Sequence, residues 1–241
     1  MSCRKLIVKL LPAVIALVIL MAAGSSRLAV AQETSCSGTD AEGYDGDICY
    51  TIESLDRFWA KEFATLGLTY QPPDGPYPYD ARVPPEGPCY AAGLNALYCR
   101  LNDAIYFEEP NMLRPWHADY GDFAPLFVLA HEWGHAIQER MDLLGDASVL
   151  NIDKELQADC FAGAWAQYLE NGDEIYVLEE GDVDEALTGL LELRDSVGLP
   201  WVDSQAHGTA FQRIEAFLMG YRGGRPRCFD PMPAPSKPRT R

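Results

Sequence analysis

Apolar side chains recur at helical spacing in several stretches of this chain, and the first stretch covers residues 51–66. Within it, large apolar residues return every three or four positions between charged ones, a period that predicts an amphipathic helix. The residues that form this apolar face are Leu55, Phe58, Trp59, Phe63 and Leu66. The same kind of pattern predicts further helices over residues 122–141, 152–170, 183–197 and 209–221.

Extended structure has a clear pattern in one place, residues 104–108, which read Ala-Ile-Tyr-Phe-Glu and predict a strand. Residues 71–90 are rich in proline and glycine, which indicates a loop or an irregular lobe with short extended pieces. We therefore predict a mainly helical α+β domain with a small β-sheet. The edge of strand 104–108 could hold an extended peptide as an added strand, with a plain core strand as the alternative.

The N-terminus has the pattern of an export signal. Three basic residues precede an apolar run over residues 10–23, and Ala29-Val30-Ala31 offers a small-x-small cleavage site. We predict that residues 1–31 are a signal peptide, with an uncleaved membrane anchor as the alternative. Residues 32–229 then form a single domain, and the proline-rich residues 230–241 are expected to be disordered. The protein is thus expected to be secreted or otherwise extracytoplasmic.

Acidic residues outnumber basic ones by 36 to 19, which gives the whole chain a formal charge of -17. Residues 1–31 contain four basic residues and no acidic ones, so their removal changes this charge to -21. Such a charge repels polyanions, which argues against nucleic acid and anionic membrane surfaces as partners. We expect contact with a membrane only through a possible N-terminal anchor.

The cysteines indicate disulfides. One of the seven, Cys3, lies in the signal segment, and six remain in the exported part. An even number of cysteines in an exported protein is typical of a disulfide framework. The pairs that sequence separation favours are Cys36–Cys49, Cys89–Cys99 and, by remainder, Cys160–Cys228. A buried free thiol is the alternative for Cys160.

The strongest chemical signal is His131-Glu132-Trp133-Gly134-His135, an H-E-x-x-H pattern inside an apolar, helix-like run. Residues four apart on an α-helix lie about 40° apart around its axis, so both imidazoles project from one face and can bind one metal ion. Glu132 lies one residue further round and can reach a water on that ion without being a ligand. The pattern predicts a zinc site with Glu132 as general base.

A catalytic zinc site usually has a third protein ligand. The extended pattern that would supply a third histidine is absent, because Gln138 and Met141 occupy its positions. The best candidate is Glu155 on the next predicted helix, with Asp159 one turn further on the same face. Asp159 could accept a hydrogen bond from the far ring nitrogen of a ligand histidine. The alternative is that both acids belong to a solvated face, but the apolar run after Asp159 indicates a buried helix.

A third histidine, His207, lies just before the last predicted helix, for which Thr209 is a plausible N-cap. In that loop, His207 could stabilise the oxyanion that forms when water attacks a peptide carbonyl, and Asp203 could orient it. A surface or capping histidine is the alternative. Arg213 is interpreted as an ion-pair partner for a buried acid, and His117 as a structural residue.

Three segments together resemble a known family: HEWGHAIQ at 131–138, ELQADCFAGAWA at 155–166 and HGTAFQR at 207–213. They are similar to the neutral zinc metallopeptidase family of bacteria, which looks like the gluzincin type. The resemblance covers most of the chain after the N-terminal segment. It implies zinc as the cofactor, His131, His135 and Glu155 as its ligands, and Glu132 as the base. The segment before His207 departs from the expected Asp-Pro-x-Ser/Ala pattern, reading Val-Asp-Ser-Gln-Ala at 202–206.

The sequence therefore predicts a zinc metallopeptidase that hydrolyses peptide bonds in peptide or protein substrates. Two alternatives stay open. One is a zinc amidase acting on non-peptide amides, for example in the cell wall. The other is a catalytically silent protein that keeps the fold for binding, although the intact Glu132 speaks against a retired site.

Overall fold

Helices provide most of the regular structure, and a three-stranded sheet accompanies them. The computed structural model describes residues 42–83, 89, 93, 95–173, 175–196 and 198–233. The α-helices in this part of the chain are α1 Tyr44–Leu66, α2 Arg114–Tyr120, α3 Phe123–Arg140, α4 Asn151–Glu170, α5 Asp182–Glu192 and α6 Ala210–Gly223. The strands are β1 Asp74–Tyr79, β2 Ala96–Cys99 and β3 Ala104–Glu108. The predicted α+β fold class is confirmed.

All five predicted helices are present, and two of them differ at one end. Helix α1 begins at Tyr44 rather than at residue 51, because Tyr44 and Ile48 extend its buried face toward the N-terminus. Helix α5 ends at Glu192 rather than at residue 197. Beyond it, the chain turns to meet the loop before α6, where the backbone N–H of Asp195 donates to the carbonyl of Gly208.

Two short helical segments between β3 and α3 were not predicted, a π-helical turn Glu109–Leu113 and helix α2. Five and seven residues are too few for a helical period to emerge from the sequence. Each segment also carries a proline in its first turn, Pro110 and Pro115, where the missing N–H does no harm.

The sheet has the order β1-β3-β2, with β3 parallel to β1 and antiparallel to β2. Every residue of β3 is buried. The hypothesis that β3 offers a free edge to a substrate is therefore wrong, since its two neighbours occupy both edges. Strand β1 was not predicted because it contains Pro76 and Pro78, which only an edge strand tolerates.

Helices α4 and α6 touch through their backbones at two glycines. A Cβ atom on Gly163 would overlap the carbonyl oxygen of Phe217, and one on Gly220 would overlap that of Cys160. Any side chain at either position would push the two helices apart. Helices α3 and α4 also approach closely, since a Cβ on Gly134 would lie 3.1 Å from the Cα of Ala158. Three helices thus come within short range of one another.

The disulfides Cys89–Cys99 and Cys160–Cys228 are both present, which confirms these two predicted pairs and excludes a free thiol at Cys160. Cys49 is disulfide-bonded as well, while its predicted partner Cys36 lies outside the described residues. The second bond ties α4 to a 3-10 turn, Arg225–Phe229, that follows α6.

The predicted signal peptide, residues 1–31, lies outside the described residues. The same holds for residues 234–241 of the predicted tail. Residues 230–233 are described, and Met232 packs against the hydrophobic core. A search of the described helices found none with the length and apolar character needed to cross a membrane.

Candidate metal centre

Helices α3 and α4 bring the predicted metal ligands together. His131 and His135 lie one turn apart on α3, and their ring centroids are 4.8 Å apart. Glu155 lies near the start of α4, and its Oε2 is 3.3 Å from Nε2 of His131 and 3.5 Å from Nε2 of His135. All three side chains are largely buried. Each offers one donor atom to the same small volume.

These distances fit one tetrahedral zinc ion. Two donor atoms that each lie about 2.0–2.1 Å from such an ion are separated by about 3.3–3.4 Å. The donor chemistry fits as well, because both histidines use their other ring nitrogen elsewhere. His131 Nδ1 is 2.7 Å from Asp159 Oδ1, and His135 Nδ1 is 2.9 Å from Gln138 Oε1. Both oxygens only accept, so each Nδ1 carries the hydrogen and each Nε2 presents a lone pair.

Asp159 is itself held by a buried arginine. Arg213 Nε donates to Asp159 Oδ2, and Nη2 donates to Oδ1, both at 2.8 Å. Arg213 Nη1 also donates to the carbonyl of Leu193. Asp159 is 0 % exposed and Arg213 is 2 % exposed, so this is a buried bidentate ion pair. The contacts expected for Asp159 and Arg213 are thus both present, and they form a chain from α6 through α4 to His131.

Gln138 is a site residue that sequence reasoning missed. It is 0 % exposed and follows His135 by three residues on α3. Its Nε2 donates to the carbonyl of Lys154 and to Oε1 of Gln157, at 2.7 and 3.0 Å. The available signal was its spacing, because residues three apart on a helix share a face.

The proposed ligands perturb one another's protonation. Burial lowers the pKa of His131, but the charge of Asp159 and hydrogen bonds to Asp159 and Glu155 outweigh it and raise the pKa to about 10. Burial also lowers the pKa of His135, and the charge of Glu155 more than reverses this. Burial raises the pKa of Glu155, yet the two histidines hold it well below its usual value. A metal ion at this position would therefore compete with protons.

The three donors lie at the base of a cleft of about 490 Å³. Glu132 lines this cleft beside both histidines, as the motif predicts. Residues 95–98, at the start of β2, line its other side. The cleft thus lies between the helix that bears the histidines and an edge strand of the sheet.

His207 also lines the cleft, and its side chain is 49 % exposed. The prediction that Asp203 orients His207 is wrong, because Asp203 accepts a hydrogen bond from the backbone N–H of Gln205 instead. Asp195 takes that place, since its Oδ2 accepts from the backbone N–H groups of His207 and Gly208 at 2.8 and 2.7 Å. Its Oδ1 lies 3.3 Å from His207 Nδ1. Asp195 lies just after α5, so it can reach His207 because that helix ends at Glu192.

His117 lies away from these donors. Its Nε2 is 2.7 Å from Asp47 Oδ2, and its ring meets Tyr44 edge to face. Both partners belong to α1, so His117 links α2 to α1 and is structural, as expected from the sequence.

Two histidines one helical turn apart and a carboxylate from the next helix are a donor set found in zinc peptidases, in which the glutamate after the first histidine is not a ligand but the general base. The chain belongs to the family described as "Putative neutral zinc metallopeptidase", whose sequence profile matches residues 5–231. The family predicted from the three motifs is thereby confirmed.

Two relatives illustrate the range of similarity. Uncharacterized protein YpfJ of Escherichia coli (strain K12) is 31% identical over 196 residues, which cover 73% of this chain and 67% of that protein. Uncharacterized protein Rv2575 of Mycobacterium tuberculosis (strain H37Rv) is 28% identical over 160 residues, which cover 57% of this chain and 55% of that protein. No solved structure matches the chain significantly.

Proposed function

We propose that the protein is a zinc-dependent peptidase in which His131, His135 and Glu155 hold the metal. The observation that carries the proposal is the convergence of His131 Nε2, His135 Nε2 and Glu155 Oε2 on one point at the base of a cleft. Zinc, when bound there, would polarise the scissile carbonyl and make the attacking water acidic.

The protein's own residues then move the protons and stabilise charge. Glu132 lines the cleft beside the proposed ligands, and it accepts the proton of the attacking water and passes it to the leaving amine. His207 lines the same cleft and donates a hydrogen bond to the oxyanion. Asp195 holds the backbone of His207 in place, which keeps this exposed side chain at the rim.

An extended peptide fits beside β2. Because Glu108 N donates to Asn95 O, the alternation of an antiparallel ladder directs the backbone of Leu97 toward β3 and that of Ala96 and Tyr98 away from it. Within the described part of the chain these outward backbone groups of Ala96 and Tyr98 have no partner, and they can pair with a substrate strand along the cleft. The substrate is accordingly a peptide or an extended segment of a protein.

We also propose that the protein works outside the cytoplasm, secreted or held by its N-terminal segment. The support is the export pattern of residues 1–31 together with the two disulfides among the described residues, which are typical of an oxidising compartment.

The decisive experiment measures zinc content and hydrolysis of an unstructured protein such as casein. Wild-type protein should contain one zinc ion per chain. Glu132→Gln should keep the zinc and lose about 100- to 10,000-fold in kcat, since it removes the base and no donor atom. Glu215→Gln, the same change at an exposed position of α6, should have no effect.

Four outcomes would contradict the proposal. Full activity of Glu132→Gln, or a wild-type protein without stoichiometric zinc, would exclude the mechanism. Hydrolysis of cell-wall amides but of no protein would point to the amidase instead. Stoichiometric zinc with no hydrolysis of either would indicate a silent binding protein.

A further inference from the structure

Gln138 joins the two helices that carry the proposed ligands. Its Oε1 contacts the ring of His135 on α3, and its Nε2 donates to the carbonyl of Lys154 on α4. Lys154 is the residue immediately before Glu155. One buried amide therefore connects the side chain of one proposed ligand with the backbone next to another.

The carbonyl of Lys154 determines the orientation of the Gln138 side-chain amide. A backbone carbonyl only accepts hydrogen bonds, so the NH2 group of Gln138 must face α4 and its oxygen must face His135. The oxygen in turn requires a hydrogen on His135 Nδ1. The tautomer that leaves Nε2 free for a metal ion is thus imposed by a contact on the neighbouring helix.

Gln157 continues the connection away from the site. Its Oε1 accepts from Gln138 Nε2 at 3.0 Å, and its own Nε2 donates to the carbonyl of Cys228 at 3.0 Å. Cys228 is bonded to Cys160 of α4. The two amides therefore form a relay between a disulfide-anchored carbonyl and the ring of His135, and both hydrogens of the Gln138 amide are used within it.

We propose that Gln138 is a positioning residue for metal binding, with Gln157 as the residue that holds its amide in the required orientation. The proposal rests on the proposed metal centre, but it assigns a role to two residues that contribute no donor atom to it. The relay holds His135 in one tautomer and keeps α3 and α4 at the separation that His135 and Glu155 require.

The test is the zinc dissociation constant of Gln138→Met, measured by competition with a chelator on protein first stripped of metal. The change keeps the length of the side chain and removes its hydrogen bonds, and we expect zinc binding to weaken about 10- to 100-fold. Gln157→Met should weaken it less, because Gln157 touches no ligand. Gln167→Met, a partly buried glutamine further along α4, should bind zinc like the wild type.

A spectroscopic signature separates positioning from general stability. In the wild-type, zinc-loaded protein, the 15N–1H spectrum should show a slowly exchanging hydrogen on His135 Nδ1, and Gln138→Met should lose it. If Gln138→Met lowers the thermal stability but leaves the zinc Kd and this signal unchanged, the relay is structural only and the proposal is overturned. Should Gln138→Met not fold, an unchanged Kd for Gln157→Met overturns it. A wild-type protein that binds no zinc would instead contradict the proposed function.

Discussion

The two histidines of the candidate metal centre are held by different kinds of hydrogen-bond partner. His131 contacts a buried carboxylate that is paired with a buried guanidinium, Asp159 with Arg213. His135 contacts a buried amide that is paired with another amide, Gln138 with Gln157. Both pairs leave Nε2 of their histidine available to a metal ion. The Asp159–Arg213 pair is stable only while its two charges balance, whereas the Gln138–Gln157 pair carries no charge and depends on hydrogen-bond geometry alone. The same histidine tautomer can thus be fixed by pairs whose disruption costs very different amounts of folding stability.

The largest effect on stability is expected when the Asp159–Arg213 ion pair beside His131 is broken. Arg213→Met removes the bidentate countercharge of the buried Asp159 and leaves His131 as its remaining contact, and we expect the metal-free protein to lose about 3–5 kcal/mol in its free energy of unfolding. Gln157→Met on the neutral side should lose only about 1 kcal/mol, the value of an ordinary hydrogen bond. Urea denaturation of both variants measures this contrast.

Two further variants check that result. Arg222→Met, at an exposed position of the same helix α6, should unfold like the wild type. The double variant Asp159→Asn/Arg213→Met should recover part of the loss, since no unpaired charge remains. Equal losses on the two sides would contradict the comparison.

The stability of the metal-free protein should depend on pH because of the charged contacts of His131. The pKa of His131 rises from 6.5 to about 10 on folding, so the folded state binds more protons than the unfolded state between these values. The corresponding stability is fully present below pH 6.5 and is lost as the pH rises toward 10, with a slope of at most about 1.4 kcal/mol per pH unit. Urea denaturation at several pH values in the presence of a chelator measures it.

The zinc-loaded protein is the control for this titration. Its His131 Nε2 is expected to carry the metal rather than a proton, so the decline between pH 6.5 and 10 should be much weaker. A metal-free protein whose stability stays constant or increases over this range would show that Asp159 and Glu155 do not hold a proton on His131.

The smallest effect on stability is expected at His207, which contacts neither the Asp159–Arg213 pair nor the Gln138–Gln157 pair. Its side chain is half exposed and lies at the rim of the cleft. His207→Ala should lower kcat about 100-fold by removing a donor to the oxyanion, while zinc content and stability remain unchanged. Steady-state kinetics with a chromogenic peptide measure kcat and KM separately. His117→Gln, a histidine change outside the cleft, should leave kcat intact, and a loss of zinc in His207→Ala would contradict the assigned role.

Features that repeat within one helix could be predicted from the sequence. The placement of His131 and His135 on one face, and of Glu155 and Asp159 on another, follows from the helical period alone. The five long helices could be predicted for the same reason. The disulfide pairs followed from short separation and from the small number of cysteines left over.

Three features that depend on how elements meet could not be predicted. Asp195 reaches His207 only because α5 ends early and the chain turns back to the loop before α6. Gln138 gains its role from Lys154, which lies 16 residues away and is brought close by the contact of α3 with α4. Strand β1 exists because β3 offers it an edge, since its prolines give it no strand pattern of its own.

The order of residues along the chain gives the buried ion pair a consequence for biosynthesis. A chain synthesised from its N-terminus contains all three proposed ligands once Glu155 has been added, well before Arg213 and Cys228 follow. Until then, packing α3 against α4 would bury Asp159 without the guanidinium of Arg213, which opposes early folding of that helix pair. A chain truncated before α6 should therefore stay open to proteases despite containing every ligand. Stable packing of the two helices that carry the proposed ligands is thus expected only once α6 is present.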